Sequence, residues 1–250
     1  WLAGTGQTTM QIKYKHSVHL IFSFILIAGV SGPANAVLLE KGFTAVYEVE
    51  HNGMYLGESE RELKPLKDNH WQFHSITRPK GFAKMFIKDT LEETSILKRQ
   101  GNDFIPIMYR YDQTGGKKPK HDSVKFDWEN KQVSLSYVNK SLDLHAGTQD
   151  LMSFLLLIMR DLQNGHKQIQ FTLADRKRIN DYVLNVKVEN QVDTPMRSFK
   201  SLVLVSNIIK DGDRFRIWCA PALQYLPVKI EKTEDDRSEE HTSELQSRGL

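Results

Sequence analysis

The residues of this chain that could do chemistry are few and scattered. It has nine histidines and one cysteine. His51, His70, His74, His121, His145 and His166 lie between the two ends. None belongs to an HExxH pair or a Cys/His cluster, the spacings that hold zinc. His70 and His74 are four apart, but Trp71–Thr77 alternates like a strand, which separates them by about 13 Å. A metal site is therefore not expected. Neither GxSxG nor a phosphate-cradling glycine loop occurs, and Gly115-Gly116-Lys117 reads as a turn. Glu92-Glu93 and Asp235-Asp236 are adjacent pairs, whereas a glycosidase dyad takes its carboxylates from different strands. Asp175-Arg176-Lys177-Arg178 reads as a charged turn. Cys219 has no neighbouring His or Lys to lower its pKa and reads as a small buried apolar residue. We expect no catalytic residues and no cofactor.

The elements around these residues are mostly strands. Phe43, Ala45, Tyr47 and Val49 alternate with Thr44, Val46, Glu48 and Glu50, the period of a half-buried strand. Asn52-Gly53 then predicts a two-residue hairpin, because a type I′ turn needs positive φ at both positions. Met54–Leu63 returns. In Trp71–Thr77, Trp71, Phe73 and Ser75 share one face. Residues 82–100 are ambiguous: LEETSILKR has good helix formers, and FAKMFIKD could be a strand. Phe104–Tyr111 reads as a strand, with Pro106 suggesting an edge. Val124–Trp128 and Gln132–Val138 predict a hairpin; Tyr182–Val188, Phe199–Ile209, Arg214–Cys219 and Leu226–Glu231 predict further strands. One helix stands out over Thr148–Asn164. Thr148 is its expected N-cap, Asp150 complements the dipole and Gly165 stops it. Leu151, Phe154, Leu155, Ile158 and Leu162 share a face that Met152, Leu156 and Met159 widen, leaving a narrow polar strip around Ser153 and Arg160. The expected fold is mainly β: a strongly curved antiparallel sheet, half-barrel or barrel-like, with one long apolar helix packed on it.

Both ends read differently from this body. Residues 1–9 precede the first methionine and read as upstream translation. From Met10, Lys13, Lys15 and His16 lead into apolar Val18–Val30, and SGPANA follows. A basic start, a short apolar core and a small-x-small site make a secretory signal peptide over 10–36, cleaved after Ala36. Its apolar core falls short of the ~20 residues a spanning helix needs. No cysteine follows it, so a lipoprotein is not expected. Residues 237–250 lack alternation, and Arg237–Ser247 resembles the translation of a common sequencing adapter rather than native sequence. That leaves 37–236 as one β-rich domain. With a net charge of +3, 40% hydrophobic and 26% charged residues, the composition is globular, without the basic excess of a nucleic-acid binder.

The strand FTAVYEVEHNGMYLGESERELK, the segment FIPIMYRYD, the helix DLMSFLLLIMRDLQNG, VDTPMRSFKSLVLV and WCAPALQYLPVKIE together resemble the bacterial periplasmic family known as domain of unknown function 3108. The resemblance covers Phe43 to Glu231 and implies a secreted antiparallel β domain with one helix on a curved sheet. It implies no reaction. The expected function is a non-enzymatic periplasmic envelope protein that holds an apolar or lipid-like ligand between sheet and helix. Candidate contacts are Trp71, Phe73, Tyr109, Tyr111, Phe154 and Ile158. The alternative is an envelope interaction or assembly factor without a small-molecule ligand, with envelope proteins as partners. A hydrolase with an unrecognised site comes last. A filled interior and an exposed apolar patch would favour the alternative.

Overall fold

The computed structural model describes residues 20–27, 38–207 and 214–234. Among them, 14 strands form one antiparallel sheet. They are β1 (Leu20–Leu26), β2 (Phe43–His51), β3 (Met54–Pro65), β4 (His70–Pro79), β5 (Thr90–Gln100), β6 (Asp103–Thr114), β7 (Lys120–Asp127), β8 (Gln132–Leu135), β9 (Lys140–Asp143), β10 (Gln168–Ala174), β11 (Ile179–Asp193), β12 (Ser198–Asn207), β13 (Arg214–Ala220) and β14 (Leu226–Glu234). The helices are α1 (Leu38–Lys41) and α2 (Ser153–Gln163). The sheet order runs from β10 to β14, then β1 to β9, so the sheet is not closed: β10 and β9 are its two ends.

Local chemistry sets the meander. Asn52 and Gly53 both have positive φ (50° and 78°), the type I′ geometry that matches strand twist. β2 buries Phe43, Ala45, Tyr47 and Val49, as the alternation requires. The ambiguous stretch resolves against its propensity. LEETSILKR is part of β5, because β4 and β6 flank it and Ser95 and Leu97 face the core. FAKMFIKD is neither helix nor strand throughout; Gly81–Met85 is a 3₁₀ turn. Pro106 does not mark an edge. β6 is interior, and Pro106 sits where the β5–β6 register shifts, the bulge at which a missing N–H is tolerated. Its carbonyl accepts the Trp128 indole N–H at 2.7 Å.

The helix also needs correction: α2 is short, 11 residues, not the long Thr148–Asn164 helix. Thr148 is not its cap, since its hydroxyl donates to the His145 carbonyl. Asp150 takes that role. Its Oδ1 accepts the N–H groups of Met152 and Ser153 at 2.8 and 2.7 Å, and the Ser153 hydroxyl accepts the Asp150 N–H. This reciprocal pairing satisfies donors the first turn would orphan. At the other end Gly165 (φ 79°) allows His166 N–H to bond Asp161 O and Gly165 N–H to bond Leu162 O, a Schellman stop.

The sheet bends around α2, which packs on β6, β10 and β14, strands far apart in the sheet order. Leu156, Ile158 and Met159 are fully buried. The core is one cluster joining α2 to inward residues of nearly every strand. The curvature is tied across the open side: Arg176, in the β10–β11 turn, pairs with Asp122 of β7 at 2.7 Å. Arg160 is not on a free solvent strip, since it pairs with Asp103 at the start of β6 and with Asp161.

β1 falls in the apolar core of the segment read as a signal peptide. It lies between β14 and β2, with Ile25 opposite both Lys229 and Glu48, and Leu26 is fully buried. Residues 10–19 and 28–36 of that segment and residues 237–250 lie outside the described residues.

Candidate functional site

The six candidate contacts lie in three separate neighbourhoods; five are buried in the core and Tyr111 is half-buried against it. Trp71 meets Phe104 edge-on at 5.4 Å, and Phe73 meets Phe43 at 5.8 Å. Phe154 sits among Phe171 and Phe215 at 5.7 and 5.3 Å, while Ile158 is enclosed on α2. Tyr109 and Tyr111 belong to a third, polar group. Where α2 faces β2–β4, a cavity of about 10 Å³ lies between Phe43, Tyr47, Arg61, Phe73, Leu155, Leu156, Met159, Leu226 and Pro227. That is at the lower limit for one water. Trp71 instead borders an open surface depression of about 470 Å³ with Pro65, Leu66, Asn69, Arg99 and Gly101. At the contact of α2 with β2–β4 the apolar side chains leave room for no more than one water, as close packing requires.

A polar band crosses this inner face. Arg61, Ser75, Glu93, Tyr111 and Asp122 stand in successive register on β3 to β7. The Tyr109 hydroxyl donates to Glu93 at 2.5 Å; burial, then the Glu93 charge, pushes that phenol well above its ordinary value. The Arg176 guanidinium lies 3.7 Å from the Tyr111 ring centroid, so one cation covers the ring and neutralises Asp122. Asp150 Oδ2 accepts the Ser95 hydroxyl at 2.5 Å in a fully buried setting, and burial raises this carboxyl above the ordinary range despite its hydrogen bonds. At the band's β3 end Arg61 is only 7% exposed. It lies over the Phe24 and Tyr47 rings, 4.6 and 5.0 Å from their centroids. The Tyr47 hydroxyl donates to the Pro227 carbonyl, and burial pushes that phenol up to about 12.

The band went unread in the sequence except for its tyrosines. Its signal was parity: Ser59, Arg61 and Leu63 fall on the buried face of β3, so a charge stands where alternation calls for an apolar residue. Elsewhere, His74 pairs with Glu92 at 2.8 Å outside the core, and Cys219 is fully buried, which pushes its thiol pKa up. Among the described residues no three His, Cys, Asp or Glu groups converge as a metal site, and no helix is long and apolar enough to cross a membrane.

The second feature is on the surface. The 3₁₀ turn between β4 and β5 exposes Phe82, Met85 and Phe86, at 73%, 66% and 70%. Phe82 and Phe86 touch edge to face at 5.0 Å. The β2–β3 hairpin adds exposed Met54 and Tyr55, whose ring a methyl group on Gly81 would approach to 3.7 Å. The segment 78–89 carries Arg78, Lys80, Lys84 and Lys88 and one acid, Asp89, and Lys80 pairs with Glu58 of β3 at 3.2 Å.

A chain with these features is a mainly β protein built on one large, unclosed antiparallel sheet. Residues 46–239 match the family model described as "Protein of unknown function (DUF3108)", and the chain belongs to that family. No curated protein sequence matches it. Among solved structures it is similar to the beta-barrel-like protein of domain of unknown function DUF1849 from Brucella abortus. That similarity has 12% identity and a TM-score of 0.42, over 86% of this chain and 94% of the other.

Proposed function

We propose that this protein is a non-enzymatic, exported component of the cell envelope that works through its surface, docking on an anionic bilayer by the Phe82–Phe86 projection. The observation that carries this reading is the cluster of exposed Phe82, Met85 and Phe86 with Tyr55 near Gly81, in a segment with four basic residues, of which Lys80 is paired with Glu58. Isolated apolar side chains on a surface are ordinary, but a contiguous patch marks an interaction site. Aromatic residues beside lysines suit a bilayer interface: the rings sit at headgroup depth and each nearby cation adds about 1 kcal/mol on an anionic surface. The filled interior favours this over the six apolar contacts acting as an acyl-chain carrier site in the described form. Export rests on the basic start, apolar core and Ala34-Asn35-Ala36 site, with release into the periplasm after Ala36 and no lipid anchor. The non-enzymatic reading rests on buried Ser95 and Asp150: the serine donates to the aspartate, the aspartate accepts the N–H groups of the α2 start, and no histidine joins them.

Vesicle sedimentation tests the docking. Binding to vesicles containing about a third phosphatidylglycerol should be saturable, weaken with salt over the range that screens surface charge, and be small on pure phosphatidylcholine. Phe82→Ser with Phe86→Ser should abolish it at unchanged melting temperature, because both rings are exposed. Equal binding by that variant, or no binding at all by the parent, would remove the bilayer as partner and leave an envelope protein as the occupant of the patch.

A further inference from the structure

Arg61 presents an unmet chemical demand. Its guanidinium is buried, and among the described residues it donates no hydrogen bond; its Nε has no partner. The acid in its register row, Glu93, is two strands away, roughly 10 Å between backbones, already accepts the Tyr109 hydroxyl, and acts on Arg61 only as a charge through space, without an ion pair. Buried cations are ordinarily paired, because removing a charge from water costs several kcal/mol that only an anion and good hydrogen bonds repay. Two aromatic faces supply part of that, but they leave the buried Nε–H without an acceptor, and no acceptor among the described residues takes the other guanidinium donors. On its inner side Arg61 meets an apolar lining: Phe43, Phe73, Leu155, Leu156 and Met159. On the other side stands Phe24, and Phe24 is carried by β1.

We infer that Arg61 anchors a binding site for an amphipathic anion, a carboxylate or phosphate headgroup on an acyl tail, and that Phe24 of β1 covers this site until the residues before 37 are removed. The headgroup takes the guanidinium donors bidentately, which is what the planar fork of arginine offers and a lysine does not. The tail runs along the β14–β1–β2 seam. Withdrawing β1 uncovers Arg61 and vacates the position of buried Leu26 opposite Tyr47, which also lines the small cavity, enlarging the space there without displacing α2. β1 is then a stand-in: an apolar segment of the same chain lying where the tail would lie. The inference uses the leader reading and is separate from bilayer docking, which needs only the surface projection.

The test takes the protein in two forms, the full chain retaining residues 1–36 and the chain released by export after Ala36. The probes are a fluorescent long-chain fatty acid and its methyl ester, with unlabelled fatty acid and lysophosphatidic acid as competitors. The released form should bind the acid saturably and the ester about ten to a hundred times more weakly, the usual worth of a charge-assisted hydrogen bond. The retained form should bind the acid more weakly by a similar factor. Displacement by lysophosphatidic acid at lower concentration than by fatty acid assigns a phosphate headgroup; the reverse order assigns a carboxylate. Arg61→Met, which replaces an unpaired buried charge with an apolar chain of similar length, should lose the acid–ester discrimination while melting no lower than the parent. In the full chain, Phe24→Ala uncovers the same guanidinium and should raise acid affinity. Equal binding of acid and ester overturns the site. So does unchanged acid binding in Arg61→Met together with a lower melting temperature, which makes the guanidinium a structural group. Acid binding unaffected by both Phe24→Ala and release overturns the cover.

Discussion

Asp150 shows how much one buried residue does in this molecule. Its carboxylate accepts two main-chain N–H groups of the α2 start and the Ser95 hydroxyl of β5, so it fixes where the helix begins and seats it against the sheet. Asp150→Ala should cost about 2–4 kcal/mol in denaturant unfolding, because three buried donors lose their acceptor. Asp150→Asn keeps a carbonyl oxygen and should be milder. The two also differ in pH response. Burial raises the folded-state pKa of Asp150 above its unfolded value. The carboxyl therefore contributes stability that is fully present below the unfolded carboxylate range and is lost as pH rises through the raised value. The stability difference between parent and Asp150→Asn should accordingly shift in favour of the parent as pH falls from 7 toward 4. Urea melts at several pH values measure this, and a shift in favour of Asp150→Asn would mean the hydrogen bonds outweigh burial.

Among elements, α2 and β1 matter most. α2 buries nearly its whole circumference, and Leu155 lies inside the cluster at its contact with β2–β4. Leu155→Asp places an unpaired carboxylate there and should unfold the domain, read as loss of the near-UV circular dichroism signal. Arg160→Ala should cost only about 1 kcal/mol: its pairs with Asp103 and Asp161 are partly solvated, though they do tie the helix to β6. β1 joins β14 to β2 by two ladders. A chain beginning at Val37 should melt lower than one retaining residues 1–36, and hydrogen exchange should speed up at the β2 and β14 amides that face β1. Unchanged protection would mean β2 and β14 pair directly once β1 has gone.

For the whole molecule, the open sheet needs something to hold its curvature, since β9 and β10 do not pair. α2 fills the concave side, and the Arg176–Asp122 pair, with Tyr111 under the guanidinium, links the β10–β11 turn to β7. Both partners are largely enclosed, so removing one strands the other. Arg176→Ala should cost more than a surface pair, about 2–3 kcal/mol, and a double-mutant cycle with Asp122→Ala should give coupling of about 1–2 kcal/mol by thermal melts. Coupling near zero would leave α2 packing alone to set the curvature.

The sequence by itself determined the strand periods, the Asn52-Gly53 turn, the Gly165 stop, the buried parity of β2 and β4 and the family, because these depend on residues close together in the chain. Tertiary structure decided what depends on distant partners. LEETSILKR became β5 because two neighbouring strands supply a ladder that outweighs helix propensity. Pro106 was accommodated inside the sheet by a bulge that a single strand's residues do not reveal. The helix shortened because Asp150 is held by Ser95, 55 residues earlier, and caps the turn there. That five of the six candidate contacts lie in the core and Tyr111 at its margin was decided the same way: composition fixes how much apolar surface must be buried, not which side chains fill which space. Arg61 shows the limit most plainly. Its parity was readable, but that no described residue forms an ion pair with it is a property of β1, β2 and β3 assembled side by side.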